Sequence, residues 1–347
     1  MNIEMRFPTL ISTAILATAG MVAALGSPAS AHDGHSPAPG TDPSAMAGMA
    51  GMDHGAMAGM GTATTAPAQP SLSADVNRSR QRAHYFAAAM TGKQEVPVAG
   101  GPAVGDPDGS ALGLIRIQGD RVTFFASWKN QRAATLFHIH EGPRGKNGPV
   151  KVGLLTTALP DTVTSVAGVT TIADATVADA IVARPGNFYL NLHTAEFPGG
   201  AARGQLYPVR GGQLLALLKG GRFEAFMSGD QEVPVAGGPA VGDPDGRAAG
   251  FVSARNGSLT YSFAWAKISE PTLGHIHRGV KGVNGAVVLP LFGTPMPEGV
   301  VAVSGTVPQV DPGLLTEIKH DPRGFYLNLH TKEDPGGAVR GQLFARR

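Results

Sequence analysis

In LFHIH, residues 136 to 140, apolar Phe137 and Ile139 alternate with His138 and His140. In FYLNLHT, residues 188 to 194, Leu190 and Leu192 alternate with Tyr189, Asn191 and His193. A period of two belongs to a β-strand, whose successive side chains point to opposite faces. Each of these strands is therefore expected to give its apolar set to a core and its histidines to the other face. YFAAAMT, SALGLIRI, RVTFFASW, VKVGLLT, VTSVAGVTTI and AARGQLYP are further short runs rich in β-formers, separated by clusters of Gly, Pro, Asn and Asp. The pattern predicts an all-β fold, an antiparallel β-sandwich or barrel with Greek-key connections. One short helix is expected just before each FYLNLHT strand. Asp311 is placed to cap it, Pro312 to open it and LLTEIK to form its body, and ATVADAIVA fills the same position earlier in the chain.

The elements come in two sets. QEVPVAGGPAVGDPDG at 94 to 109 returns letter for letter at 231 to 246, an offset of 137. The same offset carries His138 and His140 onto His275 and His277, His193 onto His330, and Arg203 onto Arg340. This is a tandem duplication of one domain, predicted at 83–210 and 220–347, and not a solenoid of short repeats. His84 falls opposite Gly221 and His320 opposite Ala183, so those two histidines read as ordinary surface or turn residues. DPDG at 106 to 109 reads first as a turn, and Asn147-Gly148 and Asn284-Gly285 as tight hairpin turns.

Composition fits this organisation. The 347 residues are 42% hydrophobic, enough for two cores, and the 48 glycines and 27 prolines suit many turns. A net charge of +2 without a basic run offers no footprint for nucleic acid. Arg6, the apolar run FPTLISTAILATAGMVAALG and SPASA with Ala29 and Ala31 match the three parts of a secretory signal, so residues 1–31 are expected to be removed after Ala31, leaving no membrane association. The alternative is an uncleaved anchor, since the run approaches the roughly 20 residues that span a bilayer. The chain contains no cysteine, which excludes disulfides, a lipid-bearing thiol and a thiol nucleophile, and a periplasmic or secreted location follows. Residues 32–82 lack hydrophobic periodicity and read as a disordered tail rich in Met, His, Pro, Gly and Ala.

The chemistry concentrates in the histidines. His138 and His140 share a strand face, and His193 joins them if its strand lies alongside; His275, His277 and His330 repeat the set. Neutral imidazoles in this number suit copper, zinc, iron or nickel, and three protein ligands leave a position open. The competing reading is a buried, hydrogen-bonded cluster without metal. Arg203 and Arg340 lie on the next strand, placed either to attract a small anion or to pair with Glu196 or Glu333. In the tail, Met46, Met49, Met52, Met57 and Met60 surround His54, and cleavage would expose His32 near His35. Thioether sulfur favours Cu(I), so copper leads and zinc is less favoured; the competing reading is a low-complexity linker with incidental methionines. No GxSxG elbow or phosphate loop is present.

HIHEGPRGKNGPV with FYLNLHTAEFPGGAARGQL, and HIHRGVKGVNGAVV with FYLNLHTKEDPGGAVRGQL, resemble the CHRD domain, a module named from chordin and found also in bacterial secreted proteins. The resemblance covers about 84–207 and 222–344 and implies a β-rich extracytoplasmic module, superoxide dismutase-like or immunoglobulin-like in architecture. An HxH pair, a late-strand histidine and an arginine beyond it are also similar to the copper half of the copper-zinc superoxide dismutases. That similarity implies His138, His140 and His193 as copper ligands and Arg203 as the residue guiding the anion, with His275, His277, His330 and Arg340 in the second copy. No metal-bridging histidine, zinc-loop ligands or disulfide cysteines accompany them, so the implied site holds copper alone. Three functions follow as expectations: a copper protein dismutating superoxide, a non-catalytic protein for copper storage, delivery or resistance, and an adhesion module whose histidines are structural.

Overall fold

The computed structural model describes residues 80–209 and 221–345. The predicted signal (1–31) and nearly all of the predicted tail, with its Met and His residues, lie outside them. In the first copy the strands are β1 (His84–Thr91), β2 (Ser110–Gln118), β3 (Arg121–Lys129), β4 (Leu136–Glu141), β5 (Val150–Leu155), β6 (Val163–Thr171), β7 (Phe188–His193), β8 (Ala202–Gln205) and β9 (Tyr207–Pro208), with helix α1 (Ala175–Ala183) before β7. The second copy repeats them as β10 (Phe223–Ser228), β11 (Arg247–Arg255), β12 (Ser258–Ala266), β13 (Leu273–Arg278), β14 (Val287–Phe292), β15 (Val300–Val307), helix α2 (Pro312–His320), β16 (Phe325–His330), β17 (Val339–Gln342) and β18 (Phe344–Ala345). Both helices fall where they were expected. The Asp174 carboxylate accepts from the Thr176 amide at 2.9 Å and that of Asp311 from the Leu314 amide at 2.8 Å, each satisfying an amide that helix geometry leaves without a partner.

In each copy all ladders are antiparallel, and in the first they run β5–β4–β7–β8 and β1–β2–β3–β6, the halves meeting where Thr91 of β1 pairs with Arg203 of β8. Placing β6 beside β3 and β7 beside β4 makes a Greek key. An immunoglobulin order would set the second strand beside the fifth; here β2 lies between β1 and β3, so that arrangement is not the one adopted. Phe86, Ile115, Phe124, Phe137, Ile139, Leu190 and Leu192 fill the space between the halves, each at most 3% exposed. The expected inward set of β4 and β7 is thus in the core.

The sequence pattern did not indicate that the two copies join. Edge strand β6 pairs with edge strand β15, matching Ser165 to Ser304, Val166 to Val303 and Ala167 to Ala302. Val166 and Val303 are equivalent residues, so the seam is its own mirror under the duplication. The Val169 amide donates to the Gly299 carbonyl and the Thr306 amide to that of Thr162, both at 2.9 Å. This is the self-matching geometry of a two-fold dimer interface, built here within one chain. Ala87, Leu114, Phe125 and Ala167 pack with Ala249, Phe251, Ala264 and Ala302 as a second, smaller apolar cluster from both copies. Among the described residues no helix is long and apolar enough to cross a membrane.

Candidate metal centre

Pairing of β4 with β7 sets Leu136 against His193, His138 against Asn191 and His140 against Tyr189. Because the inward set is apolar, the outward set is forced together: His138, His140, Tyr189, Asn191 and His193, joined by Arg203 and Gln205 from β8. This outward face is nevertheless largely covered, with His138 and His140 half-buried. Tyr189, Asn191 and His193 are 1%, 5% and 8% exposed, covered by the loop after β4 and the loop after β7.

His138 Nδ1 lies 3.3 Å from His193 Nε2, and His275 Nδ1 lies 3.2 Å from His330 Nε2. In each copy one ligand nitrogen from each of the three imidazoles lies within 4.8 Å of the others. At metal–nitrogen bonds of about 2.0–2.1 Å, a 3.3 Å separation corresponds to an angle of roughly 105–110° at the ion, close to tetrahedral. In two of the three rings the remaining nitrogen holds the ring in place. His140 Nδ1 donates to the Gly148 carbonyl and His193 Nδ1 to that of Pro198, both at 2.9 Å; His277 and His330 repeat this with Gly285 and Pro335 at 2.9 and 3.0 Å. A carbonyl only accepts, so Nδ1 carries the proton and Nε2 keeps its lone pair, the tautomer a metal requires. Among the described residues the Nε2 atoms of His140 and His277 are buried with no hydrogen-bond partner.

Protonation agrees with this arrangement. Burial, with His193 and His140 adding to it, lowers His138 to about 3. Burial lowers His140 to about 4 against the Gly148 bond, which opposes it, and His275 falls to about 4 for the same leading reason. His193, His277 and His330 are also lowered, chiefly by burial. All six rings are therefore neutral near pH 7, as metal ligands must be.

The arginines are placed differently from the expectation of an anion guide. Arg203 is 1% and Arg340 2% exposed. Arg203 donates to Asn147 Oδ1 at 2.9 Å and to the carbonyls of Pro143 and Lys146 at 3.2 and 2.7 Å; Arg340 does the same with Asn284, Val280 and Val283. Among the described residues neither pairs with Glu196 or Glu333, and Glu333 accepts from Ser269 instead. Each guanidinium is thus enclosed and its donors are spent on the loop rather than turned toward solvent.

Asn147-Gly148 is not the turn it was expected to be. The chain reverses at Pro143–Lys146, where the Lys146 amide bonds the Pro143 carbonyl at 3.1 Å and Gly145 takes φ +77°. Asn147 instead braces the loop, donating to the Val96 carbonyl at 2.8 Å. DPDG is a turn, with Asp106 Oδ1 accepting from the Gly109 amide at 2.8 Å. His84 and His320 lie outside both clusters. The residues that sequence reasoning did not assign to the site are Tyr189 and Asn191, although the alternation put them on the face of His193, and Asn147, Gly148 and Glu95, the last half-buried beside Arg203 and Asn191. All five recur at the offset of 137, which is the signal that could have found them.

Fold and site together define a duplicated Greek-key β-sandwich bearing a loop-covered histidine triad on the outside of each copy. The CHRD domain family matches residues 86–206 and 223–343, and the chain belongs to that family as a tandem pair. No curated protein matches the chain.

Proposed function

We propose that this is an extracytoplasmic copper-binding protein that holds one copper in the three-histidine site of each domain. The observation that carries the reading is the buried, unpartnered Nε2 of His140 and of His277. A purely hydrogen-bonded cluster accounts for the His138–His193 contact but leaves that lone pair desolvated for nothing, a cost of about 1–3 kcal/mol per site. An ion among the three nitrogens removes the cost. Imidazole serves zinc as well as copper; the five methionines around His54 favour copper, because thioether sulfur is a soft ligand. The signal-like residues 1–31 and the absence of cysteine support an extracytoplasmic location.

Bound copper would supply a one-electron couple and an open position for a small anion such as superoxide. The chain's own residues keep the three ligands neutral, aimed and largely shielded from water. Superoxide dismutation is the second reading, supported by the three-ligand set. Enclosure of Arg203 and Arg340 weighs against an anion guide at the surface, so storage, delivery or resistance is the better-supported role.

The test is copper loading of the full mature chain, followed by desalting, metal analysis, electron paramagnetic resonance and a superoxide assay on one sample. About two retained coppers with a nitrogen-rich Cu(II) signal and no turnover are expected. Turnover would establish the dismutase. No retained copper would leave a β-module whose histidines are structural.

A further inference from the structure

The guanidinium of Arg203 lies over the Tyr189 ring, 3.5 Å from its centroid, and the same ring stacks on His140 at 4.9 Å and 13°. The three groups form a column from β8 through β7 to β4. The loop closes a circuit around it. Arg203 grips Asn147 and the carbonyls of Pro143 and Lys146; the next residue, Gly148, donates its amide to the Tyr189 hydroxyl at 3.2 Å and accepts from His140 Nδ1. Gly148 has to be glycine, since a Cβ there would stand 1.6 Å from the Glu141 carbonyl oxygen. His140 is thus held on its face by Tyr189 and on its edge by Gly148, and Arg203 anchors both.

The second copy keeps the whole circuit. Arg340 lies 3.4 Å from the Tyr326 centroid, Tyr326 stacks on His277 at 4.7 Å and 13°, and the Gly285 amide donates to the Tyr326 hydroxyl at 3.2 Å. Meanwhile the gripped loop has diverged, with Val280 and Val283 where the first copy has Pro143 and Lys146. Because the arginine holds backbone carbonyls, those side chains were free to change.

We propose that Arg203 and Arg340 are positioning residues of the two centres, each fixing the tautomer and tilt of one ligand, His140 or His277, through the loop and the tyrosine. The proposal rests on the metal-binding reading for its purpose but not for its test. Loss of outer partners that orient a metal ligand typically costs 10–100-fold in affinity.

The experiment uses the full chain, 15N-labelled on histidine, as wild type, Arg203→Lys and Asn147→Ala. Arg203→Lys keeps the charge without the planar fork, and Asn147→Ala leaves the buried charge in place should the lysine variant fold poorly. In the copper-free protein, long-range nitrogen–proton spectra are expected to show His140 with a protected proton on Nδ1. Both variants should lose that signal and bind copper at the first site roughly 10–100-fold more weakly, while His277 in the same spectra stays unchanged as an internal control. Retention of the His140 Nδ1 proton and of first-site affinity, with only a lower unfolding midpoint, would overturn the proposal. Should the wild type bind no copper, the functional reading fails, and the tautomer signal still decides whether the arginine positions the ring.

Discussion

An imidazole in water shares its single proton between two nitrogens, and at His140 a carbonyl 2.9 Å from Nδ1 ends that freedom. The three rings of a site act as a set, because two nitrogens at the right spacing bind a metal weakly where three bind it well. The sets in the two copies share no residue. Replacing both His138 and His140 with alanine is therefore expected to remove about half of the domain-bound copper and leave the second centre loaded, which metal analysis after desalting would measure. Loss of all the copper would mean that the centres are not independent. At this scale the two histidine triads were legible beforehand, from strand alternation and repetition. The role of Arg203 was not, since a sequence position beside a site is the same whether the side chain faces water or a loop.

Between equivalent strands the duplication has exchanged volumes. Phe137 of β4 faces Leu155 of β5 across their ladder, and the corresponding pair in the second copy is Gly274 and Phe292. The aromatic ring has crossed to the other strand, and the glycine makes room for it: a Cβ on Gly274 would stand 2.3 Å from the Phe292 ring. Such volume-conserving exchange keeps a core packed at constant density. Gly274→Ala should accordingly destabilise the protein by about 1–3 kcal/mol through overpacking, read from the midpoint of urea unfolding. An unchanged midpoint would mean that the Phe292 ring moves aside freely. Adjacent to His275, the substitution also tests how far a core shift reaches the centre, through the copper content of the same sample.

Stability of the whole molecule should follow the sum of its buried titrations. The six site histidines are lowered on folding. Between their ordinary value of 6.5 and the values near 3–4 that His138, His140 and His275 reach, the unfolded chain binds more protons, so stability is full above about 6.5 and is lost as the pH falls. Glu95 and Glu232 act oppositely. Burial pushes each up to about 7, against the pull of Arg203 or Arg340 and of Asn191 or Asn328. Their stabilising contribution is present below 4.5 and lost as the pH rises through 7. Six groups outweigh two, so the unfolding midpoint of the copper-free chain is expected to climb from pH 4.5 to about 6.5 and level off or dip through 7. A midpoint that fell over the lower interval would contradict neutral histidines in the folded state.

Local patterning by itself determined the strands, both helices, the duplication and the grouping of the histidines. Each of these follows from a periodicity, a capping signal or a repeat, and the apolar side chains of β4 and β7 had no stable destination but the core, which sent the histidines to one face. Tertiary structure alone decided that this outward face would be covered, that Asn147 would brace a loop rather than make a turn, that Arg203 would stack on Tyr189, and that β6 would meet β15. The physical reason is common to all four. A two-residue alternation reads the same in a free edge strand as in a paired one, and a loop residue or a long cationic side chain acquires its partner only when distant segments pack around it.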